Sequence, residues 1–408
     1  MELVREYLLL GLRFDRIIGG FVDAYTGDPA LRRQVDNEPQ PRPADLAKRA
    51  ATLRAELPAS GLDGGRARFI DAHLVALECS GRKLAGEPVP FVEEVRRYFD
   101  VLIEPGEEDG YREAHAEAEA VLPGDAPLAE RLSALRTRDE VPPEKLEPAV
   151  LALSSALRDR VRAQFGLPEA ETVHYEVVTD KPWSGFNYYL GDYRSRVAIN
   201  ADLKHRMAQL PHLVAHESYP GHHTEHCRKE AGLVERGRQA EQTIFLVNTP
   251  ACLMAEGLAD LGLHAVVGAG WGRWSAEILA DFGLHTDGEL AERLERALGK
   301  LVTVRQDAAL LLHDRGADPD EVVRFLQRWL LVPPERARQM LRFLSDPLWR
   351  AYTSTYVEGY RLLRTWLDAR SPTEPLGERY RRLLDEPLTP AAIRAELATT
   401  PAAVQASA

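Results

Sequence analysis

The sequence predicts a mainly α-helical protein with one small β-sheet, and three observations support this fold class. Apolar residues recur at helical spacing through most of the chain, as in residues 45–57 and 67–84. Turns that contain Pro and Gly separate these periodic segments. Residues 171–180 and 193–200 are instead β-branched and partly alternating, which is typical of strands. The sheet is therefore expected just before the histidine-rich segment at 216–223.

Helices are expected to follow one another from the N-terminus to about residue 165. The first 20 residues carry charges every few positions on an amphipathic pattern, which predicts an ordinary helix and no signal peptide. Helices resume after the strands, and the Asp-Pro pairs at 318–319 and 346–347 each predict a helix start. We expect a helical N-terminal region, 1–165, and a metal-binding catalytic region, 166–400, unless the two form one continuous domain.

The composition excludes some classes of partner. The chain has 408 residues, with 51 basic and 63 acidic side chains and a net charge of −12. An acidic protein is a poor match for nucleic acid or for an anionic membrane surface. No long uncharged apolar run predicts a membrane span, and the three cysteines form no CxxC pair. We therefore expect a cytoplasmic protein without nucleic-acid or membrane partners.

Residues 215–223, AHESYPGHH, begin like the metal-binding helix of a zinc hydrolase. His216 has the position of a first zinc ligand, and Glu217 beside it that of a general base acting on the water that zinc activates. In the usual motif a second His follows that Glu by three residues. Here Pro220 stands in its place, so the second ligand does not follow directly from the motif.

Two histidines, His222 and His223, compete for the second ligand position. On a regular helix His222 would lie about 240° around from His216, and His223 about 10.5 Å along the axis. Pro220 and Gly221 interrupt the helix, and a bulge of two residues there would bring His222 to the place of the usual second His. We expect His222 as the second ligand and keep His223 as the alternative.

The third zinc ligand is predicted on a later helix. Glu256 lies in an otherwise apolar segment, 245–267, where a lone carboxylate is costly unless it is paired or bound to metal. Asp260 follows four residues later on the same helix face. It is expected to accept the ring N–H of a ligating His and so to orient it. The predicted cofactor is Zn²⁺.

These residues resemble the DUF885 family, bacterial proteins similar to zinc-dependent metallopeptidases of the gluzincin kind. HESYPGHH at 216–223 matches the family's HExxPGHH signature. EGLA at 256–259 resembles its EGWA segment, and YVEG at 356–359 followed by LLR at 362–364 resembles its YxxG…LR segment. The resemblance extends over about residues 170–370. It implies a multi-helix metallopeptidase-like fold, with the small sheet next to the metal-binding helix.

Three further residues are expected to act on the substrate. The resemblance singles out Tyr356, within an aromatic stripe, as a donor to the developing oxyanion. It also matches Asn200, at the end of the strand 193–200, to an Asn that precedes the HE motif in the family. Arg364 follows on the same predicted helix as Tyr356 and is expected to hold a substrate carboxylate through two hydrogen bonds. The strand itself is placed in sequence to pair with an extended substrate.

The function predicted from these residues is zinc-dependent hydrolysis of a peptide or other amide bond, with a peptide or small amide as substrate. Glu217 would be the general base, and Tyr356 would assist. One alternative is a catalytically inactive helical binding protein. Another is a non-haem Fe(II) oxygenase, which also uses two histidines and one carboxylate, although Glu217 has no task in that chemistry.

Overall fold

The computed structural model describes residues 2–181 and 183–399, and these form a mainly helical protein, which confirms the predicted fold class. A strand, β1 (Val22–Tyr25), follows the first helix. The helices of the N-terminal part are α1 (Glu2–Asp15), α2 (Pro29–Asp36), α3 (Pro43–Glu56), α4 (Gly64–Leu84), α5 (Phe91–Phe99), α6 (Glu108–Val121), α7 (Leu128–Arg138) and α8 (Pro143–Gln164).

Strands β2 (Thr172–Val178), β3 (Gly185–Gly191) and β4 (Arg194–Asn200) come next, and β5 (Ile244–Leu246) lies further along the chain. The remaining helices are α9 (Leu210–Glu217), α10 (His222–Lys229), α11 (Pro250–Val266), α12 (Trp271–Ala280), α13 (Gly288–Leu298), α14 (Val304–His313), α15 (Pro319–Leu330), α16 (Pro334–Ser345), α17 (Tyr360–Asp368), α18 (Leu376–Asp385) and α19 (Pro390–Thr399).

The two helix starts predicted from Asp-Pro pairs have different outcomes. Helix α15 begins at Pro319, and the Asp318 side chain caps it by accepting the Asp320 N–H at 2.9 Å. After Asp346 the chain instead makes irregular turns. These lead into a π-helical turn, Thr355–Gly359, before α17 starts. Single π-helical turns are frequent at functional sites.

Two small sheets are present where one was predicted. The expected sheet has the strand order β2-β4-β3, with β4 parallel to β2 and antiparallel to β3. Strand β4 is therefore central and has no free edge for an extended substrate, so the predicted role of 193–200 is wrong. The second sheet pairs β1 with β5, which are too short and too far apart in sequence to give a local pattern.

One contiguous hydrophobic core spans the chain on both sides of residue 165. It includes Tyr7 and Leu74 from the N-terminal part, and Leu253 and Trp366 from the C-terminal part, all with no exposed surface. The pairing of β1 with β5 ties the two parts together as well. The boundary near residue 165 thus does not separate two cores.

Helix α11 crosses this core, and most of its 17 residues are buried. It carries Glu256 and Asp260 among apolar neighbours, and it packs against α9 and against the π-helical turn. In the described part of the chain no single helix is both long enough and apolar enough to cross a bilayer. Helices α11 and α12 have the required length and hydropathy only when taken together, and they are bent by 79° relative to each other.

Candidate metal centre

Three side chains from three successive helices converge at one point. His216 Nε2, at the end of α9, lies 3.1 Å from His222 Nε2 at the start of α10 and 3.2 Å from Glu256 Oε2 on α11. His222 Nε2 lies 3.7 Å from Glu256 Oε1. Ligand atoms bound tetrahedrally to zinc at about 2.0–2.1 Å are roughly 3.3 Å apart. The three predicted ligands are therefore close enough for one zinc ion, although the two histidines approach different oxygens of Glu256.

Asp260 holds the first of these histidines. Its Oδ1 lies 2.8 Å from His216 Nδ1, as the spacing on α11 predicts. A carboxylate at Nδ1 keeps the ring hydrogen on that side, which leaves the Nε2 lone pair facing Glu256. Burial lowers the pKa of His216, but the hydrogen bonds to Asp260 and Glu256 outweigh it and hold that pKa well above its usual range. The surroundings thus favour a positive charge at this point, a proton or a metal ion.

The connection between α9 and α10 contains two residues more than a helix would. The Gly221 N–H donates to the Ala215 carbonyl at 2.8 Å, and the Thr224 N–H to the Ser218 carbonyl at 3.1 Å, each six residues back along the chain. A regular helix bonds four residues back. A Cβ atom at Gly221 would overlap the His216 carbonyl, so this close approach requires glycine. The predicted bulge is a short connection that re-aims the second helix.

His223, the alternative second ligand, faces the opposite way. Its Nδ1 lies 2.8 Å from Ser195 Oγ on β4, and its Nε2 lies 3.1 Å from Glu171 Oε2. The His223 side chain is fully buried, whereas that of His222 is 16% exposed. Of the two histidines that the sequence left open, the structure brings His222 to His216 and Glu256.

Glu171, which the sequence analysis missed, organises the far side of α10. This buried carboxylate accepts hydrogen bonds from Tyr219 at 2.7 Å and from Arg158 at 2.6 Å, in addition to its contact with His223. Burial raises its pKa, but the hydrogen bonds from His223, Tyr219 and Arg158 outweigh this and lower it to about 2. It lies at a strand start with no motif around it, so only the tertiary fold identifies it.

Replacing Glu171 by Ala is expected to lower the free energy of unfolding at pH 7 by about 2–4 kcal/mol, because several charge-assisted bonds are lost together. The pKa of this carboxylate is lower in the folded state than in the unfolded state. Its ionised form therefore stabilises the fold at pH values above the unfolded-state pKa, and the stabilisation is lost as the pH falls towards the folded-state pKa. The difference from wild type should therefore shrink between about pH 5 and pH 2. Urea denaturation at several pH values measures it. The exposed Glu169→Ala is the control, and a difference that does not change with pH would contradict the assignment.

Glu217 ends α9 directly beside the cluster. Its side chain packs against Gly185 at the start of β3, where a Cβ atom would lie 3.1 Å from Glu217 Oε1. The Asn187 side chain donates to the Glu217 backbone carbonyl at 2.6 Å and fixes the end of the helix. Burial raises the pKa of this carboxyl to about 7, while His216 lowers it and Glu256 raises it. A buried carboxyl that titrates near neutrality suits a general base.

Two tyrosines approach the cluster from the C-terminal part. The Tyr352 hydroxyl donates to Glu256 Oε1 at 2.7 Å and so orients this carboxylate. Tyr356 lies in the π-helical turn, and its hydroxyl has no hydrogen-bond partner among the described residues. Burial, followed by the charges of Glu256, Asp260 and Glu217, raises its pKa well above the usual range. Tyr356 therefore stays protonated and is free to donate.

Two glycines let the tyrosine segment approach α11. A Cβ atom at Gly257 would overlap the backbone of Gly359, and one at Gly359 would overlap the Leu253 carbonyl. The backbones of α11 and the π-helical turn are thus in direct contact. This close contact accounts for glycine at both positions.

The two predicted substrate residues lie elsewhere. Asn200 is fully buried, and its side chain is used within the chain: it donates to the Lys181 and Trp183 carbonyls at 2.8 and 3.0 Å and accepts the Asp202 N–H at 3.0 Å. Arg364 Nε donates to Asp368 at 2.6 Å in a half-exposed i,i+4 pair. The first holds a loop and the second is paired on the surface, so neither is free for substrate.

Asp23 is an acidic residue at the site that sequence reasoning missed. It is the extra residue of β1, lying at the bulge between Val22, which pairs with Leu246, and Ala24. Bulges commonly re-aim a side chain beside an active site. Asp23 forms no hydrogen bond or ion pair with another described residue, and burial, followed by the charge of Glu256, raises its pKa to about 7. The bulge depends on pairing with β5, so no local sequence signal marks it.

A second His/His/Glu group includes His212, one turn before His216 on α9, and His264, one turn after Asp260 on α11. His212 Nε2 and His264 Nε2 lie 3.2 and 3.4 Å from the same oxygen, Glu295 Oε1. The Trp271 indole donates to the other oxygen of Glu295 at 3.1 Å. Each histidine can donate a hydrogen bond to this carboxylate, so hydrogen bonding accounts for the group without a metal ion.

Comparisons with known proteins support the fold. No known family model matches the chain, and no curated protein does. Two solved structures share its fold. One is a "putative lipoprotein" from Colwellia psychrerythraea, at a TM-score of 0.53 and 14% identity; the match covers 86% of this chain and 65% of that one. The other is a "putative lipoprotein of unknown function" from Shewanella oneidensis, at a TM-score of 0.50 and 14% identity. The match covers 90% of this chain and 75% of that one. The present chain thus spans less than two thirds of the first protein.

The predicted cytoplasmic location is corrected by this comparison. Both similar structures are described as lipoproteins, and a lipoprotein carries a lipid anchor that holds it at a membrane. The expectation rested on the cysteine pattern and on the amphipathic first 20 residues. Neither observation reports where a folded protein of this kind resides, and the prediction is withdrawn.

Proposed function

We propose that this protein is a zinc-dependent hydrolase that cleaves a peptide or other amide bond. The supporting observation is the convergence of His216 Nε2, His222 Nε2 and a Glu256 oxygen at zinc-ligand separations, directly beside Glu217. Two histidines and one glutamate are a common catalytic zinc set that leaves a position open. The resemblance of HESYPGHH to the DUF885 signature supports the same reaction.

His216, His222 and Glu256 would hold a zinc ion here, and it would supply Lewis-acid chemistry for a scissile carbonyl and for the attacking water. The residues of the chain do the rest. Glu217, buried next to His216, takes a proton from the attacking water and delivers it to the leaving amine nitrogen. Tyr356, whose hydroxyl is unpaired, donates a hydrogen bond to the oxygen on which negative charge develops. Asp260 and Tyr352 hold His216 and Glu256 in position.

The substrate is proposed to lie along β3. This strand is at the edge of the three-stranded sheet, and its first residue, Gly185, packs against Glu217. An edge strand presents unpaired backbone groups to which an extended peptide can add. A peptide in this position would pass Glu217 and the metal ligands, because α9 packs against β3.

Metal removal tests the proposal. Protein purified without chelators is expected to contain about one zinc per chain by elemental analysis. It should cleave members of a mixed peptide library, as followed by mass spectrometry. A chelator should abolish cleavage, and added Zn²⁺ should restore it. Bound zinc without cleavage of any peptide would favour the inactive binding protein, and activity that needed iron and oxygen would favour the oxygenase.

A further inference from the structure

A row of arginines lies beside the candidate metal centre, contributed by four separate segments. Its members share one property: in the described part of the chain none forms an ion pair with a carboxylate. The arginine row consists of Arg136 on α7, Arg206 before α9, Arg305 on α14 and Arg336 on α16. For a protein with a net charge of −12, four neighbouring unpaired arginines are unusual.

Backbone contacts bring the first members of the row together. Arg206 pairs with Glu140 in an isolated β-bridge just after the end of α7, which carries Arg136. The Arg136 guanidinium donates to the Leu331 carbonyl at 2.5 Å, close before the first turn of α16. Arg336 lies in that turn and donates to the neutral Gln339 side chain at 2.6 Å. Their hydrogen bonds go to carbonyl and amide oxygens, which leave the positive charges uncompensated.

Arg305 extends the row to the metal centre. Helix α14 packs against α16, and Arg305 lies within electrostatic reach of Arg336 on one side and of Tyr356 and Asp260 on the other. It forms no hydrogen bond or ion pair with another described residue. Its side chain is exposed to solvent. The guanidinium is therefore free, and it stands between the proposed oxyanion donor and the rest of the row.

The electrostatics of the row favour an added anion. Burial lowers the pKa of Arg136 and of Arg336, and it lowers the pKa of Arg206 to about 10, with Arg136 as a further cause. Two carboxylates face the row, and both are used elsewhere. Asp139, near Arg206, accepts the Ala208 N–H and the Thr286 hydroxyl, and Asp260 holds His216.

We propose that the arginine row is a binding subsite for an oxyanion group of the substrate, in a peptide the C-terminal or a side-chain carboxylate. This inference rests on the proposed function, because it names the class of substrate for that site. Guanidinium groups bind carboxylates through paired, charge-assisted hydrogen bonds. Arg305, nearest the metal centre, and Arg336 carry the recognition. The row takes over the role that the sequence analysis gave to Arg364.

Binding of matched peptides tests this subsite. The probes are Ala-Ala-Ala with a free carboxylate, its C-terminal amide, and the amide of Ala-Glu-Ala, titrated by calorimetry into zinc-loaded Glu217→Gln protein so that none is cleaved. At least one carboxylate peptide is expected to bind about tenfold or more tightly than the neutral amide. Inorganic phosphate should compete with that peptide and leave binding of the neutral amide unchanged. Tighter binding of free Ala-Ala-Ala indicates a site for the C-terminal carboxylate. Tighter binding of the Ala-Glu-Ala amide indicates a site for a side-chain carboxylate.

Each substitution is added separately to the Glu217→Gln protein. Arg305→Gln and Arg336→Gln should each remove most of the preference for the carboxylate peptide, and Arg305→Lys should retain part of it. Arg364→Gln, which changes a paired surface residue, is the control and should leave the preference intact. Equal affinity for all three peptides, or a preference that survives in both Gln variants, overturns the subsite. Zinc content and wild-type cleavage are measured on the same preparations. Cleavage without a carboxylate preference rejects the subsite alone. A preference lost in Arg305→Gln, in protein that neither holds zinc nor cleaves, keeps the subsite and rejects the hydrolase.

Discussion

Replacing Glu217 by Gln is expected to lower the turnover number by about 10²- to 10⁴-fold, the usual contribution of a general base, while about one zinc per chain stays bound. Gln keeps the size of the side chain and its packing against Gly185, but it cannot accept the proton of the attacking water. Glu217 is not among the three converging ligands, so its replacement should leave the metal in place.

The measurement is the initial rate of cleavage of the best peptide from the library, with zinc determined on the same protein. Glu169→Gln, a change at an exposed residue, is the control and should keep the wild-type rate. Full activity in Glu217→Gln would show that another group takes the proton. If the variant lost zinc as well as activity, Glu217 would support metal binding and would not be the base that takes a proton from water.

His222→Ala is expected to weaken zinc binding by more than about 100-fold, whereas His223→Ala should keep about one zinc per chain. Changing a residue that merely orients a ligand costs about 10- to 100-fold in metal affinity, and removal of a ligand should cost more. The two histidines are adjacent in sequence and have the same chemistry. They differ in direction, since His222 faces His216 and Glu256 while His223 faces Ser195 and Glu171.

Competition with a fluorescent zinc chelator gives the affinities, and urea denaturation gives the stabilities. His223→Ala should lower the free energy of unfolding by about 1–3 kcal/mol, because Ser195 and Glu171 lose a buried partner. His222→Ala should change it less when zinc is absent. If zinc affinity fell in His223→Ala and not in His222→Ala, the ligand assignment would be reversed.

The sequence predicted which side chains converge, because the HE pair and the acidic pair on α11 are each short local patterns. Glu217 follows His216 directly, and the four-residue spacing of Glu256 and Asp260 places both on one face of α11. The choice between His222 and His223 could not be made in the same way. It depends on how the chain turns between α9 and α10, and Pro220 and Gly221 are compatible with several paths.

Other features of the site depend on contacts between distant segments, and the sequence holds no local signal for them. Asp23 reaches the site because β1 has a bulge opposite β5, and the pairing partner lies in the other half of the chain. Arg305 looks like an ordinary charged residue on an amphipathic helix until the packing of α14 shows its neighbours. The opposite case is Asn200, for which the family resemblance predicted a contact with substrate, whereas its side chain holds a loop.

The pairing of Val22 with Leu246 brings together segments separated by more than half of the chain. Asp23 and Tyr356, both near Glu256, come from the two ends of the fold. Contacts between residues so far apart close large loops, and such contacts form slowly. During synthesis the site stays incomplete until the segment with Tyr356 has emerged from the ribosome. A nascent chain therefore brings these candidate site residues together only after most of its length has been synthesised.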